Sequence, residues 1–118
     1  MEAVILGTAY KVEKKKYSEE PYFEENNVCG YCDAIEKSIV YIDMQTWPGW
    51  EKEPEKKCIA AEKETLRHEV IHAFLNESGL CENSGIIGIG WAKNEEMVDW
   101  IALQFPKILA VYRQLDVV

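Results

Sequence analysis

The chain has only two histidines, His68 and His72, so any imidazole chemistry it performs must use that pair. Basic residues are also in the minority, 13 Lys and Arg against 21 Asp and Glu, for a net charge of -8. Nucleic acid is therefore not an expected partner, because phosphate binding needs a concentrated basic surface. The one basic cluster, Lys14-Lys15-Lys16, reads as a solvated strand end. No apolar run reaches the roughly 18 residues of a membrane span. The opening Met1 to Ala9 is short, carries Glu2 and lacks the basic leader of a secretory signal. A cytoplasmic protein without membrane contact is the expectation, and its four cysteines are then expected to be reduced.

Cys29-Gly30-Tyr31-Cys32 has CxxC spacing, but Cys58 and Cys81 lie too far apart to complete a zinc ribbon. A thioredoxin-like site would want a helix next, whereas Ser38 to Ile42 reads as a strand. Buried thiols in a hairpin strand are the simpler reading.

With 118 residues, 47% of them hydrophobic, the chain suits one folded domain spanning residues 1–118. Alternation from Ala3 to Glu13, with Val4, Leu6, Tyr10 and Val12 on one face, predicts a half-buried strand. Tyr17 to Asn27 is acidic, contains Pro21 and reads as a loop. Val28 to Cys32 and Ser38 to Ile42 are predicted to form a hairpin around Asp33 to Lys37.

Pro48, Gly49 and Pro54 make Asp43 to Lys57 a long surface loop, in which Trp47 and Trp50 either wall a cleft or pack onto the core. A helix follows, starting between Lys57 and Glu62 and running to Ser78, with Gly79 as its left-handed cap. The apolar, glycine-bearing segment Leu80 to Lys93 lines a cleft or packs under the sheet. A second helix, capped by Asn94 and amphipathic through Met97, Ile101, Phe105, Ile108, Tyr112 and Leu115, should be kinked or split at Pro106. The expected fold class is α+β: a three-stranded sheet, made of an N-terminal strand and a hairpin, packed on two helices.

His68-Glu69-Val70-Ile71-His72 places both imidazoles on one face of the first helix, one turn apart, within reach of a single metal ion. Glu69 lies one step round, where it would act on water rather than bind the metal. Catalytic zinc sites take three protein ligands and keep one open position, so a third ligand is needed. A glycine three residues and a histidine six residues beyond His72 would supply the astacin-type extension, but those positions hold Leu75 and Ser78. A carboxylate is required instead. Glu95 opens the second helix, and Asp99, four residues on, shares its face and can accept the other ring N–H of a ligand histidine. Glu96 competes for the ligand role but has no aspartate four residues on.

Asn94-Glu95-Glu96-Met97-Val98-Asp99 resembles the NExxxD motif of thermolysin-like gluzincins, placed as theirs is after the HExxH helix. The chain is similar in organisation to a minimal gluzincin, such as the ImmA/IrrE-type metallopeptidases of mobile elements and the small phage and prophage proteins akin to them. Arg67 to Leu75 and Asn94 to Pro106 carry the likeness. The resemblance implies a zincin-like fold and Zn2+ held by His68, His72 and Glu95, with Glu69 as general base and Asp99 supporting a histidine. It also implies hydrolysis of a peptide or protein substrate, such as a regulatory protein, bound along a strand edge for which Ser38 to Ile42 is the expected candidate. Thermolysin-like enzymes add a further histidine that this chain lacks. Tyr10, Tyr41, Tyr112, Arg67 and Arg113 are the residues that could replace it, and the sequence does not choose among them. The alternative is a non-catalytic zinc-binding module whose metal only fixes the two helices together.

Overall fold

A computed structural model describes residues 1–80 and 90–118. The fold is α+β, with strands β1 (Glu2–Ile5), β2 (Thr8–Lys15), β3 (Gly30–Asp33) and β4 (Ser38–Ile42) and helices α1 (Pro21–Asn26), α2 (Glu55–Glu77) and α3 (Glu95–Gln114). The strands form one mixed sheet in the order β1-β2-β4-β3, with β2 and β4 parallel and the outer pairs antiparallel. No helix among the described residues is long and apolar enough to cross a membrane.

The single N-terminal strand expected over Ala3 to Glu13 is a hairpin, which makes four strands rather than three. Leu6 and Gly7 both take positive φ, 48° and 86°, the geometry of a two-residue turn that matches strand twist. Leucine is a rare choice there, so the turn has a weak sequence signature. The reversal also changes the phase of the first strand. Ala3 pairs with Tyr10 and Ile5 with Thr8, so Ile5 is buried whereas Val4 and Leu6, expected on the core face, are exposed.

Tyr17 to Asn27 is not a plain loop either. A 3-10 turn at Tyr17–Glu19 leads into α1, which starts on Pro21 and ends on Asn27 in the left-handed conformation. Six residues are too few to show a helical period, but they bury Phe23 completely.

One face of the sheet gathers Ile5, Tyr10, Val12 and Ile39 against Ala73, Leu66 and Val70 of α2. Val40 and Ile42 alternate to the other face and join Phe23, Met44 and Cys58 in a second cluster. At about 1.5–3 kcal/mol for each large apolar side chain fully buried, these clusters anchor α2 firmly. The helix starts earlier than expected, at Glu55, because Pro54 supplies a preset φ and its carbonyl accepts from the Lys57 and Cys58 amides. Its end is as expected: Gly79 has φ +82° and the Leu80 amide returns to the Leu75 carbonyl. Trp47 and Trp50 pack down on the second cluster, with Trp47 edge-on to Tyr17 at 5.3 Å between centroids.

The carboxylate of Glu77 ties the end of α2 to the sheet, accepting from Lys37 Nζ at 2.6 Å, Tyr10 Oη at 2.7 Å and Thr8 Oγ1 at 2.9 Å. These donors, Lys37 first, hold its pKa down to about 2 against an ordinary 4.5. A depressed carboxylate stabilises the fold above its unfolded pKa, and that contribution fades as pH falls through the folded value. The melting temperature should therefore drop between pH 4.5 and about 2, and Glu77→Gln should flatten that part of the curve. Equal acid slopes in melting curves of the two proteins would show that the cluster contributes nothing.

α3 departs furthest from expectation. Pro106 does not split it, since the helix is continuous from Glu95 to Gln114. Its buried side chains are Val98 and Ala102, while Phe105, Tyr112 and Leu115 of the expected apolar stripe are exposed. The helix thus docks on α2 through its first two turns.

Candidate metal centre

Glu95, Asp99 and Ala102 recur at i, i+4 and i+7 on α3, the spacing of one helix face. Asn94 caps that helix through its side chain, which accepts from the Met97 amide. Across from this face, α2 presents His68 and His72 with Nε2 atoms 3.0 Å apart and rings 66° from parallel. The two oxygens of Glu95 reach both rings, Oε2 lying 3.0 Å from His68 Nε2 and Oε1 3.1 Å from His72 Nε2. On the far side of each ring, His68 Nδ1 lies 2.7 Å from Asp99 Oδ1 and His72 Nδ1 lies 2.7 Å from the Ala92 carbonyl oxygen.

Those outer contacts fix the tautomers. An ionised carboxylate and a backbone carbonyl only accept hydrogen bonds, so each Nδ1 carries the hydrogen and donates it. In neutral imidazoles both Nε2 atoms then hold lone pairs, which face each other and a carboxylate. Three electron-pair donors within 3.0–3.1 Å of one another repel unless a cation or a proton lies among them. Two imidazoles and one carboxylate suit zinc, and with metal–ligand bonds of about 2.0–2.2 Å such spacing is short enough for one ion to touch all three groups. His68, Glu69 and His72 also have ligand atoms within 4.8 Å of one another. Glu95 is nonetheless the better third ligand, because Glu69 Oε1 stands 4.0 Å from His68 Nε2 whereas the Glu95 oxygens touch both rings.

Glu69 occupies a separate niche between α2 and β3. It is buried, and burial pushes its pKa up to about 7, with the Glu95 and Asp99 carboxylates adding to the rise and any positive charge on His68 opposing it. The niche depends on Gly30. A Cβ there would lie 2.8 Å from Thr65 Cγ2, 3.0 Å from the Val40 carbonyl oxygen and 3.3 Å from Glu69 Cγ, so the absent side chain is what lets α2 approach the strand.

A cleft of about 620 Å³ runs beside this site, walled by Gly30, Tyr31 and Cys32 on one side and by Thr65, Glu69 and Asn76 on the other. Tyr22 and Trp50 also line it, so Trp50 serves both core and cleft. The sheet edge along it is β3. Ser38 to Ile42, the expected edge, is interior because β4 pairs with both β2 and β3. The Ile42 amide bonds the Cys29 carbonyl, and antiparallel alternation then turns the backbone polar groups of Gly30 and Cys32 away from β4.

The structure thus brings together His68, His72, Glu69, Glu95 and Asp99, all five residues singled out from the sequence, and not Glu96. Of the five residues considered as replacements for a further histidine, none lines the cleft. Tyr10 is buried on Glu77 and Arg67 Nε bonds the Ala102 carbonyl. Lys93, six residues before Asp99 and missed by motif reasoning, is the one lysine or arginine among the described cleft residues. Cys29, Cys32 and Cys58 are free thiols with pKa values raised by burial, that of Cys32 to about 12; Cys29 and Cys32, expected to be buried, are only partly so and line the cleft. Of the segment Leu80 to Lys93, considered as a cleft wall, Ala92 and Lys93 line the cleft, while 81–89 lie outside the described residues. No family model, curated protein or solved structure matches the chain.

Proposed function

We propose that the chain is a small zinc-dependent peptidase of gluzincin type, with His68, His72 and Glu95 as metal ligands and Glu69 as general base. The observation that carries this reading is the convergence of two imidazole nitrogens and one carboxylate at 3.0–3.1 Å, beside a buried glutamate and an open cleft. When bound, zinc supplies a Lewis acid that makes water nucleophilic near neutral pH. Glu69, farther from the rings than Glu95, would serve as the base at that site, holding a proton from water for the departing amine. Asp99 and the Ala92 carbonyl hold the rings in the metal-binding tautomer. An extended peptide pairs with the outward backbone groups of Gly30 and Cys32, and Lys93 is placed to offset negative charge at the cleft.

Purified protein loaded with zinc should cleave members of a mixed library of extended peptides, detected as new termini by mass spectrometry. Glu69→Gln should cut the rate about 100- to 10,000-fold, the usual worth of a general base, while retaining zinc. A second reading has one observation in its favour: α3 buries only Val98 and Ala102, so a metal bridging α2 and α3 would pin them. If zinc-loaded wild-type protein cleaves nothing and chelation lowers the melting temperature steeply, the chain is that non-catalytic module.

A further inference from the structure

Proline at position 106 lacks the amide hydrogen that would close the helical bond to the carbonyl four residues earlier, which is that of Ala102. Ala102 is 2% exposed, so its carbonyl cannot turn to solvent, and an unpaired buried carbonyl costs about 1–3 kcal/mol. The donor comes from the other helix: Arg67 Nε bonds the Ala102 oxygen at 2.9 Å. Arg67 immediately precedes His68 on α2, while Ala102 lies three residues after Asp99 and seven after Glu95 on α3.

We infer that Arg67 is the positioning residue for the third metal ligand, holding α3 in register through the carbonyl that Pro106 leaves free. The inference rests on the metal-site reading above. Val98 and Ala102 have no directional groups in their side chains, so their packing tolerates sliding along α2. A slip of one residue on α3 would move Glu95 by about 1.5 Å, enough to separate its two oxygens from the two Nε2 atoms. A charge-assisted bond to one particular carbonyl opposes that slip, and Pro106 leaves that carbonyl without a competing amide hydrogen from position 106. Glu95 stands on the first turn of α3, before the helix gains its buried contacts, and its side chain is 65% exposed.

The test is cobalt(II) titration, read by visible absorption, of the full chain and of Arg67→Met, which keeps an apolar stem but no donor, and Arg67→Gln, which restores one. Arg67→Met should weaken cobalt binding about tenfold to a hundredfold, the range for groups that orient ligands. Its spectrum should move towards that of Glu95→Ala, and Arg67→Gln should recover part of both. In a Glu95→Ala background Arg67→Met should have no further effect on affinity, because the residue acts through that ligand. Wild-type affinity in Arg67→Met, or the same loss with and without Glu95, overturns the inference and leaves the metal site standing. Absence of cobalt binding by the wild-type chain overturns the metal reading itself and the inference with it. Should Arg67→Met fail to fold by circular dichroism, Arg67→Gln in both backgrounds decides alone, a loss confined to the Glu95 background supporting the inference and an equal or absent loss overturning it.

Discussion

Alanine at His68 or at His72 should abolish tight zinc binding, and Glu95→Ala should do nearly as much, whereas Glu96→Ala should leave it unchanged. The ordering follows from the distances. His68 Nε2, His72 Nε2 and the Glu95 carboxylate face one another at 3.0–3.1 Å, so each deletion removes one of the three proposed ligands. Glu96, one residue along, is turned about 100° round the helix from Glu95 and lies outside the cleft lining. Asp99→Ala falls between these limits: it removes only the acceptor for His68 Nδ1 at 2.7 Å, and loss of such a partner costs about tenfold to a hundredfold in metal affinity. Zinc competition titrations on the five variants read the whole series. Equal behaviour of Glu95→Ala and Glu96→Ala would remove Glu95 from the ligand set.

Gly30→Ala is expected to crowd its surroundings where the same change at Gly7, Gly49 or Gly79 would meet open space. The new Cβ would meet Thr65 Cγ2 at 2.8 Å and the Val40 carbonyl oxygen at 3.0 Å. Thr65 is β-branched and rotamerically stiff, and the carbonyl belongs to a strand paired on both sides. Neither neighbour yields cheaply, so α2 must lift away from β3. Overpacking of this kind costs about 1–3 kcal/mol, a fall of roughly 5–15 °C in Tm for a domain this size. The same shift moves Glu69, whose Cγ would stand 3.3 Å from the added carbon, so hydrolysis should fall further than zinc affinity. Thr65→Ser, which deletes Cγ2, should restore part of the stability lost. Calorimetry of the single and double variants measures that, and an unaltered melting temperature in Gly30→Ala would show that the two elements have slack.

The site was more legible in the sequence than the fold that carries it. His68, Glu69 and His72 are fixed on one helix by a four-residue spacing, and Glu95 with Asp99 by the same spacing on another, because helical periodicity is local. What the spacing could not show is why the two helices meet in register. That depends on Arg67 reaching the Ala102 carbonyl, a contact visible only once Pro106 is seen to leave that carbonyl free rather than to break the helix. The sheet was less legible because its deciding features are non-local or carried by atypical residues. Leu6 in a left-handed turn hid a hairpin and reversed the phase of Val4 and Ile5. Strand order made β4 interior and moved the open edge to β3, which no pattern within Ser38 to Ile42 could reveal. The exposed face of α3 is the plainest failure of periodicity, since Phe105, Tyr112 and Leu115 recur at helical spacing yet remain exposed.

Both the hydrolytic reading and the positioning role of Arg67 require the two imidazoles and Glu95 to share one ion. Metal analysis of protein purified without chelator, set against its measured chain concentration, tests that most directly. One zinc per chain, reduced to background in a His68→Ala, His72→Ala double variant that still folds, is the predicted result. Wild-type protein free of transition metal, and unable to take up zinc when it is supplied, would contradict it.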